Sequence, residues 1–412
     1  MNILDSLYEE RTWQGFLQYK IEKQHLSGKE QKQLEDYIHE KTYYPLLKEM
    51  EQEKYEFPIP MKKEINKGGT SKKRVVYSYP DDFNTLLKII AFSMYKYDGI
   101  FSNNCYAFRR NFGVKDAMKR IRNTKGISKK YCLKVDISNY FNSIDVAMLL
   151  EKLIFLKRQD ANLYDMFERI LTADKAVVCM EKDSMPSGNV VVEEKRGAMA
   201  GIPISPFFAN VYLVELDRYF EEQDILYFRY SDDILIFADS MEELKQYQGI
   251  LYKQVAEHHL SLNPSKVQIS TPGEMWEFLG FCYRNEQVDL SDNTKRKIKG
   301  KIKRKAQALR RWQEKKGLSG DKAAKGFIKA MNHKFFDCGD GTEFSWTRWF
   351  FPNLTTADGL AEIDVYMQQY IRYCVTGRHY KGNYRVTYEQ MKEWGYRNLV
   401  HEYYAHKNEK LS

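Results

Sequence analysis

Residues 229–239, RYSDDILIFAD, constrain the fold more than any other stretch of this chain. The run ILIFA is apolar and rich in strand formers, so it reads as a strand buried within a sheet. Asp232 and Asp233 stand side by side at its edge, where two carboxylates repel each other and lose solvation. Taken alone, SDD reads as a turn. A third acid, Asp136, lies at the end of YCLKVDI, a second run of strand character, and makes three carboxylates candidates for one site. Acids gathered on neighbouring strand ends need positive charge among them, and hard divalent cations with oxygen ligands supply it.

The rest of the chain surrounds these two strands with mixed structure. Its 412 residues exceed one compact core and predict two or three packed subregions. The first sixty residues have helical spacing, closed by PIP at 58–60. Next, KKEINKGGTSKKRVVYSYP reads as a basic hairpin or loop. The spacing then predicts a helix over 81–97 capped by Asp81 or Asp82, and a second over SPFFANVYLVELDRYF with Ser205 as cap and Pro206 at its first position. Short strands alternating with such helices make the chain α+β. Between 295 and 316, twelve Lys or Arg face one Glu, while Ile298, Ile302, Ala306 and Leu309 form a thin apolar stripe. That pattern predicts a basic helix that meets a phosphate backbone, with Lys295, Lys299, Lys303, Arg304 and Arg310 as candidate contacts.

Lys and Arg exceed Asp and Glu by nine over the whole chain, which favours an anionic partner. The six cysteines form no CxxC pair and no His-Cys cluster, so they read as reduced thiols, mostly buried. The first residues carry acids and no apolar core, and nowhere do about eighteen apolar residues run together. A soluble, cytoplasmic protein is the expectation.

From residue 60 to 285 an ordered series of segments resembles the reverse transcriptases of bacteria and group II introns. LKVDISNYFNSI resembles their motif A, GAMAGIPISPFFANVYL their motif B, and YSDDILIF their YxDD box. LSLNPSKVQIS resembles motif D, with Lys266 as its lysine, and WEFLGF the primer-side motif E. KKRVVYSYP and CYAFRRNFGVKDAMKRI resemble finger segments. The resemblance implies a right-hand polymerase fold: an N-terminal helical region (1–60), fingers (61–130 and 146–195), a palm with an antiparallel sheet (131–145 and 196–285), and a basic helical thumb with a C-terminal extension (286–412). It implies an RNA-directed DNA polymerase that adds dNTPs to a primer 3′-OH on an RNA template.

Carried over by position, the resemblance assigns two Mg²⁺ ions, with Mn²⁺ as the alternative, to Asp136, Asp232, Asp233 and the Ile137 carbonyl. Phe141 takes the place of the ring that excludes a ribose 2′-OH. Arg74 would clamp the triphosphate, with Lys67, Lys72 or Lys73 as a second contact, and Lys266 would protonate the departing pyrophosphate. Ala200 and Gly201 would lie against the template–nucleotide pair, and Tyr230 beneath the primer end.

The chain departs from the pattern in three places. Met199-Ala200 stands where the intron enzymes have Pro-Gln before the motif B glycine, Ser231 differs from the Ala usual in retron enzymes, and a VTG at 375–377 lies far beyond the YSDD box. No zinc finger or HNH-type nuclease pattern follows the polymerase motifs. The aromatic cluster around His401, Tyr403 and Tyr404 reads as core or stacking residues rather than as a protein primer. This organisation resembles the stand-alone, unknown-group enzymes associated with antiphage defence, which implies a dedicated non-coding RNA as template. Three other readings fit the residues: an RNA polymerase, which Phe141 disfavours, a template-independent DNA-synthesising terminal transferase, and a non-catalytic RNA-binding module.

Overall fold

The computed structural model describes residues 2–24, 26–52, 55–66, 73–179, 189–336 and 345–409. The chain divides into two compact units, one formed by Met1–Lys23 and Gly28–Gly273, the other by Gln24–Ser27 and Glu274–Ser412. Both helices and sheets are present in each, as α+β predicts.

At the heart of the first unit is a four-stranded sheet in the order Tyr227–Tyr230, Asp233–Ala238, Tyr131–Asp136, Gln268–Ser270. Every pairing in it is antiparallel. Ile234, Leu235 and Ile236 are completely buried, so Asp233–Ala238 is covered on both faces, while in Tyr131–Asp136 Leu133 and Val135 are completely buried on one face and Lys134 is half-buried on the other. That is why ILIFA reads as a continuous apolar run rather than an alternating one. The helix Met241–Glu257 packs on these strands, opened by Ser240, whose hydroxyl accepts from Glu243 N.

A second sheet in this unit contains the expected basic hairpin. Strands Met61–Asn66 and Lys73–Ser78 pair antiparallel, with Ile65 opposite Arg74. The first of them pairs in parallel with Lys175–Cys179, which in turn pairs with Asn189–Glu193. The hairpin tip, with Lys67 and Lys72, lies outside the described residues.

Two expected helix caps are corrected. The helix Asp81–Ser93 has Pro80 at its cap position and makes no side-chain cap bond, so Asp81 and Asp82 occupy its first turn, where acids meet the positive end of the dipole. It ends in a tighter 3₁₀ segment, Met94–Ile100. Ser205 is the first residue of the helix Ser205–Tyr212 rather than its cap. Its hydroxyl lies 2.5 Å from the carbonyls of both Ala198 and Met199, fastening the preceding turn instead. The helical pattern then breaks at Leu213 and resumes over Val214–Glu222.

The second unit opens with a three-stranded antiparallel sheet, Trp276–Phe278, Phe281–Arg284 and Gln287–Leu290, which includes part of WEFLGF. The long basic helix Asp292–Lys316 follows, capped by Ser291 and closed by Gly317 in the left-handed conformation. It packs on Gly320–Phe335 and Asp358–Thr376. Ile298, Ile302 and Ala306 are buried along its apolar stripe, and Leu309 is half-buried. Tyr403 is fully buried and its hydroxyl donates to the Leu354 carbonyl, a core role, whereas Tyr404 is exposed. Cys105, Cys132 and Cys374 are buried free thiols and Cys282 is a half-buried one. Among the described residues no helix is long and apolar enough to cross a membrane.

Candidate active site

The three acids come from two paired strand ends. Asp136 ends one strand, and its register partner across the antiparallel ladder is Asp233, the first residue of the next. Ser231 and Asp232 form the two-residue turn that joins Tyr230 to Asp233. Ser231 adopts φ 61°, a left-handed conformation that glycine usually supplies at the first central residue of a tight hairpin. The Ile137 N–H donates to the Asp232 carbonyl at 2.9 Å, which ties the two acid-bearing segments together.

Electrostatics at this point are unfavourable without added positive charge. Burial, followed by the negative charge of Asp136, raises the Asp232 carboxyl above the usual carboxylate range, while Lys266 and Arg74 pull it down. Burial pushes Asp233 up to about 7, against the pull of Lys134 and with the push of Asp232 and Asp136. The Asp233 Oδ1 is buried and accepts no hydrogen bond among the described residues, and Lys134 Nζ lies 3.8 Å away. On the other flank, Lys266 Nζ meets Asp136 Oδ2 at 2.5 Å. Lysines thus hold two of the three acids, and no group of three or more acidic, His or Cys side chains is drawn together in metal-holding geometry among the described residues. The donor set still suits a hard cation: carboxylate oxygens on adjacent strand ends, with Asp232 and Asp233 raised in pKa by burial first and by their acidic neighbours second, and one buried oxygen left without a donor among the described residues.

Beside the acids, three segments meet at the turn 197–201. Tyr77 N donates to Ala200 O at 2.7 Å from the finger strand, and Ala198 N donates to Phe141 O at 2.8 Å from the motif A side. A Cβ on Gly201 would fall 2.7 Å from the Tyr77 carbonyl oxygen, and one on Gly197 within 2.8 Å of the Phe141 and Asn142 backbone. Both glycines also have positive φ. The sequence pattern pointed to Gly201; Gly197, the first glycine of GAMAG, fills the matching place on the opposite side of the turn.

Arg74 is exposed on its strand and within electrostatic reach of Asp232, while Lys73 pairs with Glu64 at 2.8 Å. The ring of Phe141 lies 6.2 Å edge-on from Phe108, which in turn lies 6.1 Å from Tyr230. Phe108 was not singled out from sequence. It is exposed, and its backbone sits at φ 58°, a conformation bulky residues rarely adopt.

A buried ion pair beneath the acidic turn was also missed, although Arg229 stands next to YSDD in the chain. Arg229 and Asp217 are both fully buried and meet through two bonds, Nε to Oδ1 at 2.7 Å and Nη2 to Oδ2 at 2.5 Å. The Tyr227 hydroxyl donates to Asp217 Oδ1, and Arg229 Nη1 donates to the Ser231 carbonyl at 3.3 Å. A lone arginine beside a strand gives no sign that its partner lies on the preceding helix.

In the second unit, the candidate nucleic-acid contacts fall into two sets. Lys295 bridges Asp292 and Glu362, Lys299 pairs with Glu362, and Arg310 binds Glu314 and the Val375 carbonyl. Lys303 and Arg304 are exposed, as are Lys297, Lys301 and Lys305 on the same helix.

The similarity of this chain to known proteins includes the segment that carries the acids. The pattern of the family described as "Reverse transcriptase (RNA-dependent DNA polymerase)" matches residues 62–283, more than half of the chain. Two Escherichia coli proteins are similar: the retron Ec86 reverse transcriptase, 22% identical over 183 residues, and the retron Ec83 reverse transcriptase, 26% identical over 132. These matches cover 43% and 31% of this chain and span only 50% and 37% of the relatives' own lengths. Among solved structures, telomerase from Candida albicans in complex with a fragment of telomeric RNA aligns over 87% of this chain and 68% of that one, at 12% identity and a TM-score of 0.48.

Proposed function

Because this chain belongs to the reverse transcriptase family, with its right-hand polymerase fold, we propose that it is an RNA-directed DNA polymerase that extends a primer 3′-OH with dNTPs. The observation that carries the proposal is the pairing of Asp136 with Asp233 across one ladder, with Asp232 in the adjoining turn and a buried Asp233 oxygen that accepts no hydrogen bond among the described residues. Asp136, Asp232 and Asp233, with the Ile137 carbonyl, would hold two divalent cations, Mg²⁺ or Mn²⁺, which when bound stabilise the charge of an in-line phosphoryl displacement. Catalysis by the chain itself is then positioning and electrostatics.

In this reading Arg74 grips the triphosphate through its bidentate fork, with Lys67, Lys72 or Lys73 as a second contact. Phe141 closes the space that a 2′-OH would need. Lys266, which pairs with Asp136, would release its proton to the departing pyrophosphate. Ala200 and Gly201 lie against the templating pair, Tyr230 supports the primer end, and the exposed Lys303 and Arg304 follow the nucleic-acid backbone. The finer part of the proposal is a dedicated non-coding RNA as template and a role in antiphage defence, for which the support is the resemblance to retron and unknown-group enzymes.

Asp232→Asn should lower dNTP incorporation on a primed RNA by roughly 10³-fold or more, the scale of losing a metal-held charge, while the protein still folds. A variant that polymerises at the wild-type rate would sink the assignment. Sequencing of nucleic acid that co-purifies from the native host tests the finer part: one discrete RNA with complementary DNA supports it, and bulk RNA without DNA opposes it.

A further inference from the structure

We infer that Asn142 is a positioning residue for nucleotide selection, whose side-chain amide holds the gate ring of Phe141 in register with the finger strand and the glycine turn. The inference rests on the polymerase reading above and names a residue that this reading does not use. Asn142 directly follows Phe141 and is half-buried. Its Nδ2 donates to the Val75 carbonyl at 3.2 Å, and its Oδ1 accepts from Ala200 N at 2.9 Å. One partner can only accept and the other can only donate, so the orientation of the amide is fixed by its surroundings.

Those two bonds join the three segments that bear the nucleotide contacts. Val75 adjoins Arg74, Ala200 adjoins Gly201, and Asn142 adjoins Phe141. Backbone bonds reinforce the junction, from Tyr77 N to Ala200 O and from Ala198 N to Phe141 O. Each of these joins only two of the segments, whereas the Asn142 side chain, carried on the motif A segment, bonds both of the others. Position 200 has no amide side chain of its own, because it is alanine, and the amide at its backbone arrives from motif A instead. Loosening Asn142 therefore frees the gate ring to move relative to the triphosphate grip, and a gate that moves no longer measures the sugar.

Two substitutions separate the contacts. Asn142→Leu keeps the size and loses both bonds; Asn142→Asp still accepts from Ala200 N but cannot donate to Val75. Single-nucleotide incorporation on a primed RNA should show, for Asn142→Leu, a KM for dNTP raised roughly tenfold, the effect of losing one or two hydrogen bonds, with kcat within about threefold. The preference for dNTP over rNTP should fall by a similar factor. In a Phe141→Ala background the same substitution should add almost nothing to rNTP use, because the gate it positions is gone. Asn142→Asp should fall between.

Amide hydrogen exchange on the protein without substrate supplies a second readout: the Ala200 N–H should exchange faster in Asn142→Leu. Unchanged discrimination between dNTP and rNTP, or unchanged exchange at Ala200 with incorporation intact, overturns the inference alone. A wild-type protein that incorporates neither nucleotide overturns it together with the polymerase reading.

Discussion

Replacing Arg229 by Met offers a sharp test of how the acidic turn is held. The guanidinium and its partner Asp217 are both 0% exposed, so removal of the cation leaves a carboxylate buried with the Tyr227 hydroxyl as its remaining donor among the described residues. Breaking such a pair by deleting one partner costs about 3–5 kcal/mol, roughly two to three and a half decades in the folding equilibrium at 1.4 kcal/mol per decade. Asp217→Leu should cost a similar amount, for the converse reason. The double variant Arg229→Met/Asp217→Leu has no charge left at this site and should recover much of the loss, short of about 1–3 kcal/mol for the Tyr227 hydroxyl left unpaired. Urea denaturation of the four proteins yields the coupling directly.

Activity should not recover with stability. Arg229 Nη1 is a donor to the Ser231 carbonyl in the turn that presents Asp232, and Met cannot replace that bond. Displacement of a reacting group by about 1 Å costs on the order of 10²-fold, so the stable double variant should extend primers about 10- to 100-fold more slowly than wild type. Two results would refute the reasoning. An Arg229→Met protein within about 1 kcal/mol of wild type would place the pair among weak surface bridges, and a double variant with wild-type extension would uncouple the pair from the turn.

In the second unit, Lys303→Ala or Arg304→Ala should each weaken template–primer binding and lower the slope of log affinity against log salt by about 0.7–0.9. Lys299→Ala should change the slope less, because Lys299 is held by Glu362; filter binding at several salt concentrations distinguishes them. His258, buried with Nδ1 at 2.7 Å from the Gln254 carbonyl and with Lys152, Glu215 and Glu257 around it, has its pKa lowered below 6.5 by burial. Below pH 6.5 the unfolded chain therefore binds the proton more readily than the folded one, so stability should be full above that pH and decline as pH falls; in His258→Leu this decline should flatten, as read by urea titrations at pH 5 and 7.

The parts of this protein that were legible in sequence are those where one local pattern meets one local physical demand. The strand Asp233–Ala238 read correctly because burial on both faces requires an unbroken apolar run, and the basic helix because Ile298, Ile302 and Ala306 fall on a single face. The caps at Ser205 and Asp81 misread because a capping residue type has other uses: Ser205 bonds two carbonyls of the turn before it, and the aspartates favour a helix's first turn as well as its cap. Residues that act through distant partners carried no sign at all. Asn142 looks like any polar residue after an aromatic, and its meaning depends on Val75 and Ala200, separated from it by 67 and 58 positions. Lys295 and Lys299 looked like equals of Lys303 until Glu362, on another helix, claimed them.

Ser231 shows what the left-handed turn asks of the residue that occupies it. Its side chain is 5% exposed, and its buried hydroxyl has no hydrogen-bond partner among the described residues. A buried hydroxyl without a partner costs stability, so it is not what holds the turn; backbone freedom matters instead, since a β-branched residue is penalised at φ 61°. Alanine at 231 would remove that unpaired hydroxyl and leave Asp232 and Asp233, the next two residues, unchanged in the chain. The serine is thus a tenant of the turn rather than its support.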